Sequence, residues 1–93
     1  MEAIMKNKGM KELFRAITAL ETEDECRKFM RDLCTLTELK AMAERWQAVK
    51  QINQNVPYRV IAKKTGSSTA TITRVAHWLH HGAGGYKLML HRL

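Results

Sequence analysis

Three sets of side chains in this sequence have the types and spacing to do chemistry. In the stretch GSSTATITRVAHWL (66–79), small hydroxyls fall at 67, 68, 69, 71 and 73, on what reads as the start of a helix. Ser and Thr neither favour a helix interior nor fill a core, so a hydroxyl-rich helix start points to a surface that meets something. Arg59, Lys63 and Lys64 precede it, and His77, His80 and His81 follow it. Cations of this kind bind anions, and His77 with His81 has the i, i+4 spacing that can hold a metal.

Three kinds of chemistry are not expected at this level. Catalysis needs a poised acid–base pair or nucleophile, and no acid follows Glu44. No catalytic residue is therefore assigned. Two histidines with no Cys or acid near them do not make a structural zinc site, and they are expected to serve as the polar end of a helix near phosphate, with no metal. The run GAGG at 82–85 has no Lys-Ser/Thr behind it and no strand before it, so it reads as a helix stop and not a phosphate loop.

The distribution of charge says more than its total. All nine Asp and Glu lie in residues 1–44, with eight Lys and Arg, a net of −1. Residues 45–93 hold the other eight Lys and Arg, all four His and no acid, a net of +8. A solvated face ordinarily mixes signs, so this half is expected to meet a polyanion. With 93 residues the chain is one domain, small for a self-sufficient core. No apolar run reaches a membrane span, and MEAIMKNKGM lacks the apolar centre of a signal peptide, which points to the cytoplasm. Cys26 and Cys34, eight residues apart on one helical segment, are about 12 Å apart by helical rise, too far for a disulfide, and are read as reduced, buried or half-buried thiols.

The elements that must position these groups are helical throughout: an all-α chain of about six helices, without a strand pattern or a repeat. Met10, Leu13, Phe14, Ile17 and Leu20 mark a first stripe. Thr22-x-x-Glu25 caps a second segment, with Cys26, Phe29, Met30 and Leu33 on one face, and residues 1–34 are assigned to dimerisation. Thr35-x-x-Glu38 opens a long helix over 35–55, with Leu39, Met42, Ala43, Trp46, Val49 and Ile52 inward and the polar NQN of 53–55 as its end. Residues 57–80 read as helix, turn, helix. Pro57 starts the first helix, Gly66 supplies positive φ at the corner, and Ser67 or Ser68 caps the second, whose Ile72, Val75, Ala76 and Leu79 face inward. Thr65 and Ser67 are more polar than such a turn usually carries. Residues 81–93 form a hinge and a last helix with Tyr86, Met89, Leu90 and Leu93 as its stripe, and Trp46 and Trp78 are expected in the core.

A steep helix–turn–helix of this composition presents Ser68, Thr69, Ala70 and Thr73 outward. Such small side chains allow close approach to a major groove, where methyls meet thymine and hydroxyls donate or accept. Those four are assigned to base readout, with Arg59, Lys63 and Lys64 facing phosphates and Arg59 able to reach a guanine. A helical module docking an acidic protein partner through the same basic half is the alternative. Six apolar stripes exceed one small core, which implies a helical homodimer.

These residues resemble the tryptophan repressor superfamily. ATITR at 70–74, with Gly66 and the Arg59-bearing helix before it, is similar to that family's DNA-reading motif, the helix-turn-helix for which the repressor is a standard example. T-x-x-E at 35–38, R-x-x-x-V-x-x-I from Arg45 to Ile52, and GGYKLML at 84–90 extend the likeness over roughly 35–93, most closely to the TrpR-like YerC/YecD group. The resemblance implies an intertwined helical homodimer and a sequence-specific, repressor-like regulator of transcription that binds double-stranded DNA. It further implies an effector pocket at Arg45, Thr71 and Arg74, where the family clamps tryptophan between two arginines. Here Val75 stands where the repressor has Gly, and Trp78 where it has Ser. The pocket is thus expected to be filled by the protein's own side chains and to bind tryptophan weakly or not at all.

Overall fold

Stripes of apolar residues at helical spacing, punctuated by caps, build a chain of helices. The computed structural model describes residues 2–93. It has seven helices and, among the described residues, no strand: α1 (Glu2–Met5), α2 (Lys8–Thr18), α3 (Glu23–Leu33), α4 (Leu36–Asn53), α5 (Tyr58–Thr65), α6 (Thr69–His81) and α7 (Gly85–Arg92). The expected count of six misses α1, a single turn too short to carry a periodic signal. The chain divides into one compact unit ending at Leu36 and a second spanning Thr37–Leu93.

In the first unit the caps form as the sequence dictates, with one variation. The Asn7 side chain accepts the Met10 N–H at 2.8 Å and that of Thr22 accepts the Glu25 N–H at 3.1 Å. The Glu25 carboxylate, however, reaches back to the Glu21 N–H at 2.9 Å, one residue outside the capping box drawn from sequence. Both helices are strongly amphipathic, yet neither buries a residue in this chain. Cys26 is exposed and Cys34 half-buried, both as free thiols. The expectation of a buried or half-buried Cys26 is therefore corrected: Phe29 and Met30 of its stripe are half-buried, but Cys26 and Leu33 at the ends are exposed.

The second unit holds the core, formed by Ala48, Val49, Ile52, Ile61, Ile72, Val75, Ala76 and Leu79 from α4, α5 and α6. Trp46, Val56, Ala62, Tyr86 and Leu90 pack against it half-buried. Only the C-terminal half of α4 enters this core. Met42 and Ala43, expected inward, are exposed, and Ala48, not expected, is fully buried. Small Ala48 lets a neighbouring helix approach closely, a role that periodicity alone does not mark. Trp78, also expected in the core, is 51% exposed, and Leu93 lies beyond the end of α7, exposed.

The end of α4 explains what its polar tripeptide does. Asn55 takes φ 62°, its N–H donates to the Ile52 carbonyl, and the Val56 N–H donates to that of Gln51. That is a Schellman closure with Asn in the left-handed position and Val56 turned back onto the core.

Candidate nucleic-acid interface

The corner between α5 and α6 is set by backbone conformation. Gly66 ends α5 at φ 78° and ψ 0°, with its N–H donating to the Ala62 carbonyl. An added Cβ would meet nothing closer than Glu44 Oε1 at 3.9 Å, so the left-handed conformation, and not crowding, makes Gly the residue for this place. Thr65, polar where the pattern is usually apolar, is accounted for locally. Its hydroxyl donates to the Ile61 carbonyl at 2.8 Å and accepts the Ser67 backbone N–H at 3.3 Å, so it is satisfied inside the turn.

Ser68, and not Ser67, caps α6. Its side chain accepts the Thr71 N–H at 3.1 Å and lies 3.0 Å from the Thr71 hydroxyl. With Ile72, Val75, Ala76 and Leu79 buried, helical geometry turns Ser68, Thr69, Ala70 and Thr73 outward, and all four are exposed. Their hydroxyls are not equivalent. Thr73 Oγ1 donates to the Thr69 carbonyl at 2.9 Å, so it offers an outside partner lone pairs and a methyl but not its proton. Ser68 is engaged in the cap. Among the described residues of this edge, Thr69 alone keeps a hydroxyl without an intramolecular bond.

The cations sort onto two sides. Arg59 and Lys63, four apart on α5, share a face and are exposed. Lys64 instead lines a groove of about 340 Å³ against α4, with Lys40, Gln47 and Thr65. Ion pairs form before Leu36 between Lys8 and Glu12 at 3.9 Å and between Asp24 and both Arg27 at 2.6 Å and Lys28 at 3.1 Å. Residues 45–93 contain no Asp or Glu of their own to offset their eight Lys and Arg. Hydrogen bonds from Arg27, then Lys28, hold the Asp24 carboxyl below the usual aspartate range.

Arg45 on α4 and Thr71 and Arg74 on α6 line one cleft of about 520 Å³. The expectation that the protein's own side chains fill it is corrected. Val75 is buried in its wall, but the Trp78 indole stands half in solvent at the rim and leaves the space open. A bulky ring at the end of a surface helix gains contact on one side only, which no residue-by-residue comparison of sizes can foresee. Glu44 and Tyr86 also line the cleft and were missed from sequence. Glu44 was legible as the neighbour of Arg45 and the last acid of the chain. Tyr86 lies across the Gly82–Gly84 break, where no spacing rule reaches.

An all-helical chain in which a capped, hydroxyl-edged α6 follows a glycine corner has the architecture of Trp-repressor-like proteins. The chain belongs to the Trp repressor protein family, whose model matches residues 8–93, more of the chain than the motifs after Thr35 had suggested. It is 35% identical over 89 residues to the uncharacterized protein YerC of Bacillus subtilis (strain 168), covering 96% of this chain and 86% of that one. A TrpR-like protein from Eubacterium eligens ATCC 27750 superposes with a TM-score of 0.93 at 37% identity, covering 97% of this chain and 93% of the other. A Staphylococcus aureus protein provisionally assigned as a Trp repressor superposes at 0.90 with 39% identity, covering 97% and 90%. No helix among the described residues is long and apolar enough to cross a membrane.

Proposed function

We propose that the protein is a cytoplasmic, sequence-specific DNA-binding regulator of transcription that acts as an intertwined homodimer and is not an enzyme. The observation that carries this reading is the exposed edge of α6, where Thr69, Ala70 and Thr73 lie outward on a chain half that contains no acid. Small side chains let that edge enter a major groove. Thr69 is the free hydroxyl donor, Thr73 offers acceptor lone pairs and a methyl, Ala70 a methyl for thymine, and Ser68 holds the helix end in register. Arg59 and Lys63 contact phosphates on one side of the groove, and Lys64 reaches backbone from the α4 side. Family membership supports the same reading.

The dimer is supported by the uncovered stripes. Phe14 is 40% exposed and Leu33 48% exposed in a chain whose α2 and α3 bury nothing. A second copy supplies the missing cover, and a two-fold axis would make the operator near-palindromic, with half-sites about one helical turn apart. The cleft at Arg45, Thr71 and Arg74 is the effector site of this reading, open to a small molecule with an anionic group. Because the buried Val75 takes the wall position where the repressor's Gly leaves room for an indole, millimolar tryptophan should leave the melting temperature unchanged, which a thermal-shift titration checks.

Gel retardation on duplex DNA at rising salt tests the central claim. The logarithm of the affinity should fall linearly with the logarithm of salt concentration, with a slope counting the phosphates contacted. No retardation at low salt would sink the DNA reading and favour an acidic protein partner for the basic half.

A further inference from the structure

Away from the reading edge and the cleft, the last turns of α6 carry His77, His80 and His81, all exposed. The rings of His77 and His81 have centres 5.2 Å apart and planes inclined at 43°. That separation has a chemical meaning. With a metal–nitrogen bond of about 2.1 Å and the donor nitrogen roughly 1.1 Å from its ring centre, two imidazoles on one ion place their centres about 5.2 Å apart at a tetrahedral angle and about 4.5 Å apart at the right angle of a tetragonal site. The pair stands at the tetrahedral spacing and within about 0.7 Å of the tetragonal one, on a backbone held by helical hydrogen bonds.

We propose that His77 and His81 chelate a borderline divalent transition ion, Cu(II), Ni(II) or Zn(II), on the outer face of α6, with water in the remaining positions. Neutral imidazole suits these ions and not hard ones such as Mg(II). Among the described residues no group of three or more His, Cys, Asp and Glu could hold a metal, so this is an open two-point site and not a closed structural one. His80 is a bystander. Its ring centre is 6.4 Å from that of His81, a distance at which a shared ion would sit at full stretch on the line between them. The ion would clamp the final turn of α6 ahead of Gly82 and add two positive charges to the acid-free half. The proposal replaces the expectation that these histidines stand near phosphate without a metal, and its test is independent of the DNA reading because it uses protein without DNA.

The structure also supplies a reporter, because the Trp78 ring lies edge-on to His77 at 5.4 Å. The test uses untagged protein carrying Cys26→Ser and Cys34→Ser, which removes the two competing thiols. Titration with Cu(II) should quench tryptophan fluorescence saturably at one ion per chain. Ni(II) should raise the melting temperature, and Mg(II) should do neither. His77→Ala and His81→Ala should each weaken Cu(II) binding about tenfold or more, as a chelate becomes a single ligand, while His80→Ala stays within about twofold. Trp78→Phe should diminish the quenching and keep the Ni(II) shift. Binding by His77→Ala and His81→Ala equal to the parent, or an equal loss in His80→Ala, would overturn the site.

Discussion

The helices before Leu36 and those after it treat apolar side chains in opposite ways. α2 and α3 carry regular apolar stripes, yet Phe14, Ile17 and Leu33 remain substantially exposed and no residue of either helix is buried. α4, α5 and α6 bury eight residues among themselves. Charge divides a little later, after Glu44. Residues up to Glu44 mix signs and include Asp24 paired with Arg27 and Lys28 inside one helix, while residues 45–93 hold eight Lys and Arg and no acid. A region that neutralises its own charges and leaves its apolar stripes uncovered is suited to meet another protein chain. A region that covers its apolar residues and leaves cations bare is suited to meet an anion.

The largest expected effect tests whether the two regions differ energetically. Ile72→Ala, at a fully buried position, should cost about 2–5 kcal/mol in urea unfolding. That cost should be independent of protein concentration, whereas the cost of Phe14→Ala should vary with concentration because its cover is another copy. A Phe14→Ala cost that is equal at all concentrations would remove α2 from the dimer seam. Next in size, Thr73→Ala should relax preference at one base position by about 1–3 kcal/mol. Lys63→Ala should weaken all sequences alike and lower the salt slope by about one. Indistinguishable effects in binding-site selection would refute that division.

Gly66→Ala follows, at about 1–2 kcal/mol of stability for an L-residue forced to φ 78°, measured by thermal unfolding. The smallest effect belongs to the first region. Because the folded pKa of Asp24 is lowered, its contribution is present above the unfolded aspartate value and is lost as pH falls through the lower folded one. Asp24 is exposed, so that contribution is small: Asp24→Asn should lower neutral-pH stability slightly, and the difference from the parent should vanish on the acid limb of the unfolding profile.

Most of the helical grammar was legible, because caps and periods are local. Thr22 and Ser68 each hold the N–H three residues on, and Gly66 and Asn55 take the left-handed conformations that end their helices. Gly82 shows a different reason for a glycine: a Cβ there would lie 2.3 Å from the Trp78 carbonyl oxygen, which composition could mark as a break but not explain. The exposed set of Ser68, Thr69, Ala70 and Thr73 was legible from the inward positions of one helix. Which of their hydroxyls remains free was not, since that depends on individual rotamers.

By itself the sequence determined that this chain is helical, where most helices start and stop, that charge is segregated at residue 45, and which edge of α6 faces outward. Each of these follows from interactions within a few residues or from composition. Tertiary structure alone decided that Ala48 belongs in the core, that Trp78 stands at a rim and leaves a cleft open, and that Tyr86 joins Glu44 on that cleft's wall. Those outcomes depend on which helix covers which face. Close packing sets that through shapes brought together from distant parts of the chain, and no local spacing encodes it.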